Sequence, residues 1–455
     1  MKLNQLQKKK NPNWLLFVIL IFLQAVSCIT KTDKKFNTLV SIRDSHWYFN
    51  DEIINPGSPA EGLLMNVRMV NAVFEDRGEE LKKYMVGFNS MANTDAFISK
   101  IPEYTANGVN AFTVSLQGGL PGYEGAVNTA FNSDGTTREE YLQRVEKVIR
   151  ACDANYAAVI LSCFYQRQHS HNSAIDGKES IIKALENTVN WITEKKFTNV
   201  LLEVSNEYRH GGYRNWPAGE WLASEAGQAE LIKFAKQLNP SLLVSTSGMG
   251  NGKSNDILIS EADFILIHFN NTSLEDYQSK IEGLKKYGKP IVCNEDDKLM
   301  NEGAIALALS TLNGCGWGYM NIKRNQEVPF EFLGTNDDSS VYQMFRNVTT
   351  PRFKIDPESL KQTSVTITYP NDGMVFRKGQ SVNIRLSHLY PDKSIPYSIE
   401  ILANNGQLAL VDNKLQASWQ PDQTGVFVLE AVVKNEKGKE LYRSSKVDII
   451  VQPEQ

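Results

Sequence analysis

The sequence predicts an α/β protein, a (β/α)8 TIM barrel followed by a small all-β immunoglobulin-like sandwich. Three observations predict it. Apolar, β-branched runs alternate with amphipathic stretches from about Lys35 to Asn347, the pattern of repeated βα units around a parallel sheet. Helical periodicity then stops, and short alternating segments separated by turn residues fill the rest. Within the first region, Val204-Ser205-Asn206-Glu207 and Ile291-Val292-Cys293-Asn294-Glu295 both end in Asn-Glu. A buried parallel strand delivers a carboxylate to one rim of a barrel in this way.

Taken in order, residues 1–28 read as a targeting segment that lies outside the fold. Lys8, Lys9 and Lys10 precede an apolar stretch from Trp14 to Leu23, too short to span a bilayer comfortably. Ala25-Val26-Ser27-Cys28 is similar to a bacterial lipobox, which implies lipidation of Cys28 and a lipid-anchored place in the bacterial cell envelope, periplasmic or cell-surface. A plain secretory signal with an incidental cysteine is the alternative. Thr38 to Ile54 reads as a short antiparallel flap before the barrel domain, which is assigned to residues 36–347.

Eight strands are expected at Leu63–Phe74, Ala111–Leu116, Ala157–Phe164, Val200–Val204, Leu242–Thr246, Phe264–Phe269, Ile291–Cys293 and Trp317–Asn321. Helices fall between them at Asp95–Ala106, Arg138–Ala154, Lys178–Thr193, Gly227–Leu238, Leu274–Tyr287 and Gly303–Leu312. The second helix has Leu142, Val145, Val148, Ile149 and Cys152 on one face, and Thr137 with Glu140 reads as its capping box. A doubly wound open sheet is the structural alternative, but no Gly-rich phosphate loop follows an early strand. Pro351 and Pro357 mark a linker at 348–362. Residues 363–452 then carry strand segments beginning with Val365-Thr366-Ile367-Thr368-Tyr369 and ending with Val447-Asp448-Ile449-Ile450-Val451. This module contains no cysteine, so it lacks an inter-sheet disulfide, and a structural or spacer role is expected for it.

Net charge is −4 over 455 residues, which gives no electrostatic footprint for nucleic acid. Cys152, Cys163, Cys293 and Cys315 sit among apolar or small neighbours and read as buried free thiols, without zinc or CxxC spacing. His169, His171, His210 and His268 lack the spacing of a metal site, so neither a metal nor a cofactor is expected. No GxSxG elbow marks a serine hydrolase.

The two strand-terminal glutamates are the minimum equipment for cleaving a glycosidic bond: one protonates the leaving oxygen, the other attacks the sugar or activates water. Asp296 and Asp297 compete with Glu295, because alternation cannot decide which side chain turns inward at a strand end. Arg68, Asn71, Glu75 and Asp76 lie along or just after the first strand. Arg68 either holds a carboxylate nucleophile ionised or serves a structural ion pair. Gln117-Gly118-Gly119, with Tyr123 shortly after, follows the second strand and Tyr165-Gln166-Arg167-Gln168 the third; these are candidate sugar contacts, Gln117 and Gln168 foremost, although loop polarity alone would also explain them.

The segment around Asn206-Glu207 resembles strand four of the clan A glycoside hydrolases, the superfamily that includes the family 5 cellulases. Lys289-Pro290-Ile291-Val292-Cys293-Asn294-Glu295 resembles strand seven, Ile267-His268-Phe269-Asn270 strand six, and Gly316-Trp317-Gly318 strand eight. The resemblance covers roughly residues 40–345. It implies that Glu207 is the acid/base, Glu295 the nucleophile and Asn206 a contact to the sugar 2-hydroxyl. It further implies that His268 steadies the nucleophile and Trp317 floors the subsite of the cleaved sugar. Tyr208 after Glu207, and Asp296-Asp297 after Glu295, do not match the cellulase pattern. The expectation is a retaining glycosidase acting on a poly- or oligosaccharide. The alternatives are a non-catalytic carbohydrate-binding surface lipoprotein and a polysaccharide lyase.

Overall fold

The computed structural model describes residues 38–78, 87–118, 126–167, 175–370, 373–392, 394–404, 406–412 and 415–454. The expected targeting segment with Cys28, and the expected sugar contact Gln168, lie outside the described residues. The chain begins with an antiparallel sheet of β1 (Val40–Arg43), β2 (His46–Phe49) and β3 (Glu52–Ile53). Eight parallel strands follow: β4 (Asn66–Arg68), β5 (Ala111–Ser115), β6 (Ala158–Phe164), β7 (Val200–Ser205), β8 (Leu243–Ser245), β9 (Ile265–His268), β10 (Ile291–Glu295) and β11 (Gly318–Tyr319). Strands β11, β4, β5, β6, β7 and β8 pair in that order, and β9 pairs with β10. Parallel bridges Ser247–Leu266, Val292–Gly316 and Asp296–Tyr319 join the two groups and close the barrel.

Period-two alternation sorts the barrel side chains. Ala111, Ala158, Ile160, Leu201, Leu266 and Val292 share an apolar cluster with Trp47 of β2. Their strand neighbours Phe112, Val159, Leu161, Leu202, Ile265 and Cys293 pack instead with helix residues such as Val145 and Leu307. The first set fills the interior, and the β1–β3 sheet caps it at the N-terminal ends of the strands. The buried Trp47 indole meets Phe264 edge-on, with centroids 5.3 Å apart.

The surrounding helices are α1 (Ser90–Ala106), α2 (Glu139–Asp153), α3 (Gly177–Glu194), α4 (Gly219–Leu222), α5 (Glu225–Leu238), α6 (Asp256–Glu261), α7 (Tyr277–Lys285), α8 (Met300–Leu312) and α9 (Ser339–Thr349). Asn89, Ser224, Asn255 and Asp338 cap α1, α5, α6 and α9 by accepting a first-turn N–H. Among the described residues no helix is long and apolar enough to cross a membrane.

Three details depart from the sequence reading. Leu63–Phe74 is not one strand: β4 is three residues long, and Val70–Val73 form a buried 3-10 turn. Asn71 pins that turn by donating to Gln326 O at 2.8 Å. The capping box at α2 does not form, because Thr137 is taken up by a bridge to Phe131 and Arg138 holds the cap position without a side-chain bond. Arg138 and Arg144 instead grip Glu75, tying α2 to the loop after β4. Helix α9 was not anticipated, although Asp338 and buried Val341, Tyr342, Phe345 and Val348 give it a cap and an apolar stripe.

The C-terminal region comprises β12 (Ser364–Tyr369), β13 (Met374–Arg377), β14 (Val382–Leu389), β15 (Tyr397–Ala403), β16 (Gly406–Leu410), β17 (Gln416–Trp419), β18 (Gly425–Asn435), β19 (Glu440–Arg443) and β20 (Val447–Gln452). Strands β12, β14 and β17 form one sheet, and β13, β20, β18, β15 and β16 the other, with β19 beside β18. Their inner faces meet through Ile367, Ile384, Ile401, Leu429 and Ile449, the core of an immunoglobulin-like sandwich. Leu389 of β14 joins the barrel's own apolar cluster, so the sandwich packs on the barrel.

Candidate active site

Glu295 is the last residue of β10, and strict alternation would give the inward slot to Asn294. The pairing of β10 with β9 slips between Cys293 and Glu295, so Glu295 stands opposite His268. That irregularity re-aims the chain and brings the Glu295 carboxylate to the barrel mouth. Arg68 Nε lies 2.9 Å from Glu295 Oε2, and Asn270 Nδ2 donates to Oε1 at 2.8 Å. Arg68 also donates from Nη2 to Asn206 Oδ1 at 2.9 Å, so one buried guanidinium ties three strand ends together.

Glu207 follows β7 with φ +47°, in the left-handed region that non-glycine residues rarely adopt. Its N–H donates to Ser247 Oγ at 3.0 Å, and Gln166 Nε2 reaches Oε2 at 3.4 Å. The tight reversal costs about 1–3 kcal/mol, which the surrounding bonds offset. His268, fully buried at the end of β9, stands between the two carboxylates. Its Nδ1 is 3.5 Å from Glu207 Oε1 and 3.6 Å from Glu295 Oε2.

Each of Glu207, His268 and Glu295 offers an atom within 4.8 Å of the others. Such a trio can ligate a metal, but the Arg68 guanidinium already stands against Glu295 and would oppose a second cation there. The electrostatics follow from this packing. Burial works to lower His268, yet the Glu295 and Glu207 charges prevail and hold the imidazole above its usual value. Burial would raise Glu207, but the bond and charge of His268 outweigh it and hold the carboxyl below its usual value. The sequence reading called for a raised Glu207. The structure gives the opposite direction, because His268 stands against the Glu207 carboxylate and favours its charged form.

A cavity of about 140 Å3 opens over this cluster, lined by Arg68, Asn206, Glu207, Asn270 and Glu295 together with Tyr165, Gln166, His210, Ile322 and Gln326. Two expected contacts lie elsewhere. Trp317 is fully buried, packs on Tyr319 and on Phe345 of α9, and donates from Nε1 to Asp296 Oδ2 at 2.8 Å. Its inward neighbour is Gly318, where a Cβ would stand 2.6 Å from the Asn294 backbone. At the level of Gly318 there is thus no room for an inward side chain, and the indole of Trp317 turns outward, while Met320, two residues on, lines the cavity. Gln117 is also fully buried; it donates to Thr129 Oγ1 at 3.1 Å and accepts from Tyr165 N at 3.0 Å, a loop brace rather than a sugar contact.

Asp296 does not rival Glu295, being engaged outside the barrel by Trp317, Lys298 and Tyr277. Asp297 lines a neighbouring cavity, and burial, with Asp296 beside it, pushes its carboxyl up to about 7. Asn270 and Gln326 were missed, and Gln166 was read only as part of the polar run after the third strand, behind Gln168. Asn270 and Gln166 lie two residues beyond β9 and β6, so the strand-end rule that found the glutamates would have reached them. Gln326, on a π-helical turn at Ile322–Gln326, reaches back to Arg68 O at 2.8 Å and carries no local signal.

Residues 76–301 match the family model for cellulase (glycosyl hydrolase family 5), a span just under half of the chain that contains both glutamates. That span of the barrel is thus similar to the family 5 glycoside hydrolases. Comparison with curated proteins finds no match. Similar solved structures include a tri-modular family 5, subfamily 4 endo-β-1,4-glucanase from Bacillus licheniformis complexed with cellotetraose (14% identity, 87% of this chain and 80% of that chain, TM-score 0.43). A β-glucuronidase from Parabacteroides merdae matches at 12% identity over 92% of this chain and 51% of that chain, with TM-score 0.42. Fibronectin(III)-like modules from Clostridium thermocellum match at 21% identity over 19% of this chain and 94% of that chain, with TM-score 0.17. The chain spans about half the length of the β-glucuronidase it matches.

Proposed function

We propose that the protein is a retaining β-glycoside hydrolase acting on a poly- or oligosaccharide. The observation that carries this reading is the spacing of Glu207 and Glu295, whose nearest oxygens come within 4.8 Å around His268. Retaining enzymes hold their carboxyls about 5–5.5 Å apart, whereas inverting enzymes need roughly 6.5–9.5 Å to admit a water. In the first step a Glu295 oxygen attacks the anomeric carbon, the glycosidic C–O bond breaks, and the departing oxygen takes a proton from Glu207. Water then gives a proton to Glu207 and attacks the same carbon, releasing Glu295. His268 stands between the two carboxylates, Arg68 and Asn270 fix the nucleophile, and Asn206 is placed to meet the sugar 2-hydroxyl. Lipidation at Cys28 and attachment to the bacterial cell envelope complete the proposal.

The test is a panel of p-nitrophenyl β-glycosides (glucoside, xyloside, mannoside and glucuronide) with cellotetraose, xylotetraose, mannotetraose and common polysaccharides. Wild type should cleave a member with retention, read from the first anomer by NMR. Glu295→Ala and Glu207→Ala should each lose turnover, with azide giving the inverted glycosyl azide only in Glu295→Ala. Binding without turnover by wild type would favour a carbohydrate-binding lipoprotein, and ultraviolet-absorbing unsaturated products would indicate a lyase.

A further inference from the structure

Beside the catalytic cavity lies a second one of about 200 Å3, between the barrel loops and the face of β12 and β14. Asn270 and Ile322 line both cavities and so form a shared wall. On that wall Asn270 Nδ2 holds Glu295, while its Oδ1 is buried without a hydrogen-bond partner. The far side comes from the sandwich, through Thr368 of β12 and Arg385 of β14. The Arg385 guanidinium lies 5.4 Å from the centre of the Tyr369 ring, and Lys323 Nζ of the barrel lies 5.6 Å from the same ring. Ser387 of β14 also bonds the Glu302 carboxyl on the first turn of α8. The two domains are therefore knitted together at this cavity's rim.

We propose that the sandwich completes a second sugar subsite next to the catalytic one, taking an adjoining neutral sugar unit of the same glycan. This inference rests on the glycosidase reading. Cationic and anionic side chains line the cavity together with an amide and a hydroxyl, and Leu299 and Ile322 supply apolar surface. A pyranose suits that lining, since its hydroxyls both donate and accept while its ring C–H groups are apolar. The mixture of Asp297 and Glu302 with Lys323 and Arg385 gives no single sign of charge that would select an ion. The sandwich then acts in substrate selection, beyond the spacer role its sequence suggests.

The experiment compares full-length wild type, Arg385→Ala and Arg377→Ala on the p-nitrophenyl monoglycoside and the matching tetrasaccharide: cellotetraose, xylotetraose or mannotetraose. Arg385 is exposed, so its removal spares the core, and Arg377 is an exposed arginine on β13 in the other sheet. For Arg385→Ala the ratio of tetrasaccharide to monoglycoside kcat/KM should fall at least tenfold, carried by KM. For Arg377→Ala the ratio should stay within twofold of wild type. A ratio unchanged in Arg385→Ala overturns the subsite and leaves the glycosidase reading standing. An equal fall in both variants also overturns it, since the effect would then be one of surface charge. Wild type that cleaves neither substrate class removes the glycosidase reading itself, and the subsite falls with it.

Discussion

Replacing Arg68 with Met should be among the most damaging single changes at the barrel mouth. The guanidinium and the Glu295 carboxylate form an ion pair with only 3% and 9% of their side-chain surfaces exposed. Removing one partner of a buried pair leaves an uncompensated charge and costs roughly 3–5 kcal/mol. If that loss is felt wholly in the transition state, it corresponds to about 10²–10⁴ in kcat/KM, at about 1.4 kcal/mol per factor of ten. Arg68→Lys keeps the charge but cannot reproduce two directed bonds, from Nε to Glu295 and from Nη2 to Asn206. It should therefore fall between Arg68→Met and wild type. The assay is hydrolysis of the best aryl glycoside beside the urea midpoint of each variant, which separates lost turnover from lost fold. Arg68→Met with kcat/KM within threefold of wild type and an unchanged urea midpoint would refute the reasoning.

His268 has its folded pKa raised by the two carboxylates, so its stabilisation is full below its ordinary value of 6.5 and is lost as pH rises through the raised value. His268→Gln should erase that part of the fall in urea midpoint between pH 6 and pH 9. Asp297 rises from 3.8 to about 7, so in wild type a destabilising term grows across that interval. Asp297→Asn should therefore melt above wild type at pH 8 and converge with it near pH 4, and equal melting curves at pH 8 would discount the burial argument. Trp317→Ala empties a core position and removes one of the three side-chain donors to Asp296, so it should cost about 3–5 kcal/mol in urea unfolding. A stable Trp317→Ala protein with kcat/KM alone reduced would return the indole to the sugar site.

The barrel was legible because it is written in local periodicity: β6, buried at every position, and α2, apolar at helical spacing, each declare themselves within a few residues. The site was legible only as far as strand ends could be located. Glu207, Glu295, Asn206, His268 and Arg68 converge because parallel strands finish on one rim. Trp317 was misread because its direction depends on how close the Asn294 backbone comes to Gly318, a contact between strands that neither segment encodes alone. The slip in β10 that turns Glu295 inward is likewise a property of the β9–β10 pair. Gln326 lies 258 residues from the Arg68 carbonyl it binds, and no local window spans that distance.

The cap formed by β1–β3 also orients the molecule. Thr38 donates from its backbone N–H to Asp153 Oδ1 at 2.9 Å, and its carbonyl accepts from Thr198 Oγ1 at 2.8 Å. Asp153 and Thr198 lie just ahead of β6 and β7, at the blind pole of the barrel, whereas Glu207 and Glu295 sit at the opposite one. Thr38, the first described residue, is therefore held at the pole opposite Glu207 and Glu295. Under the envelope attachment proposed through Cys28, substrate would meet the pole opposite to the one at which Thr38 is held.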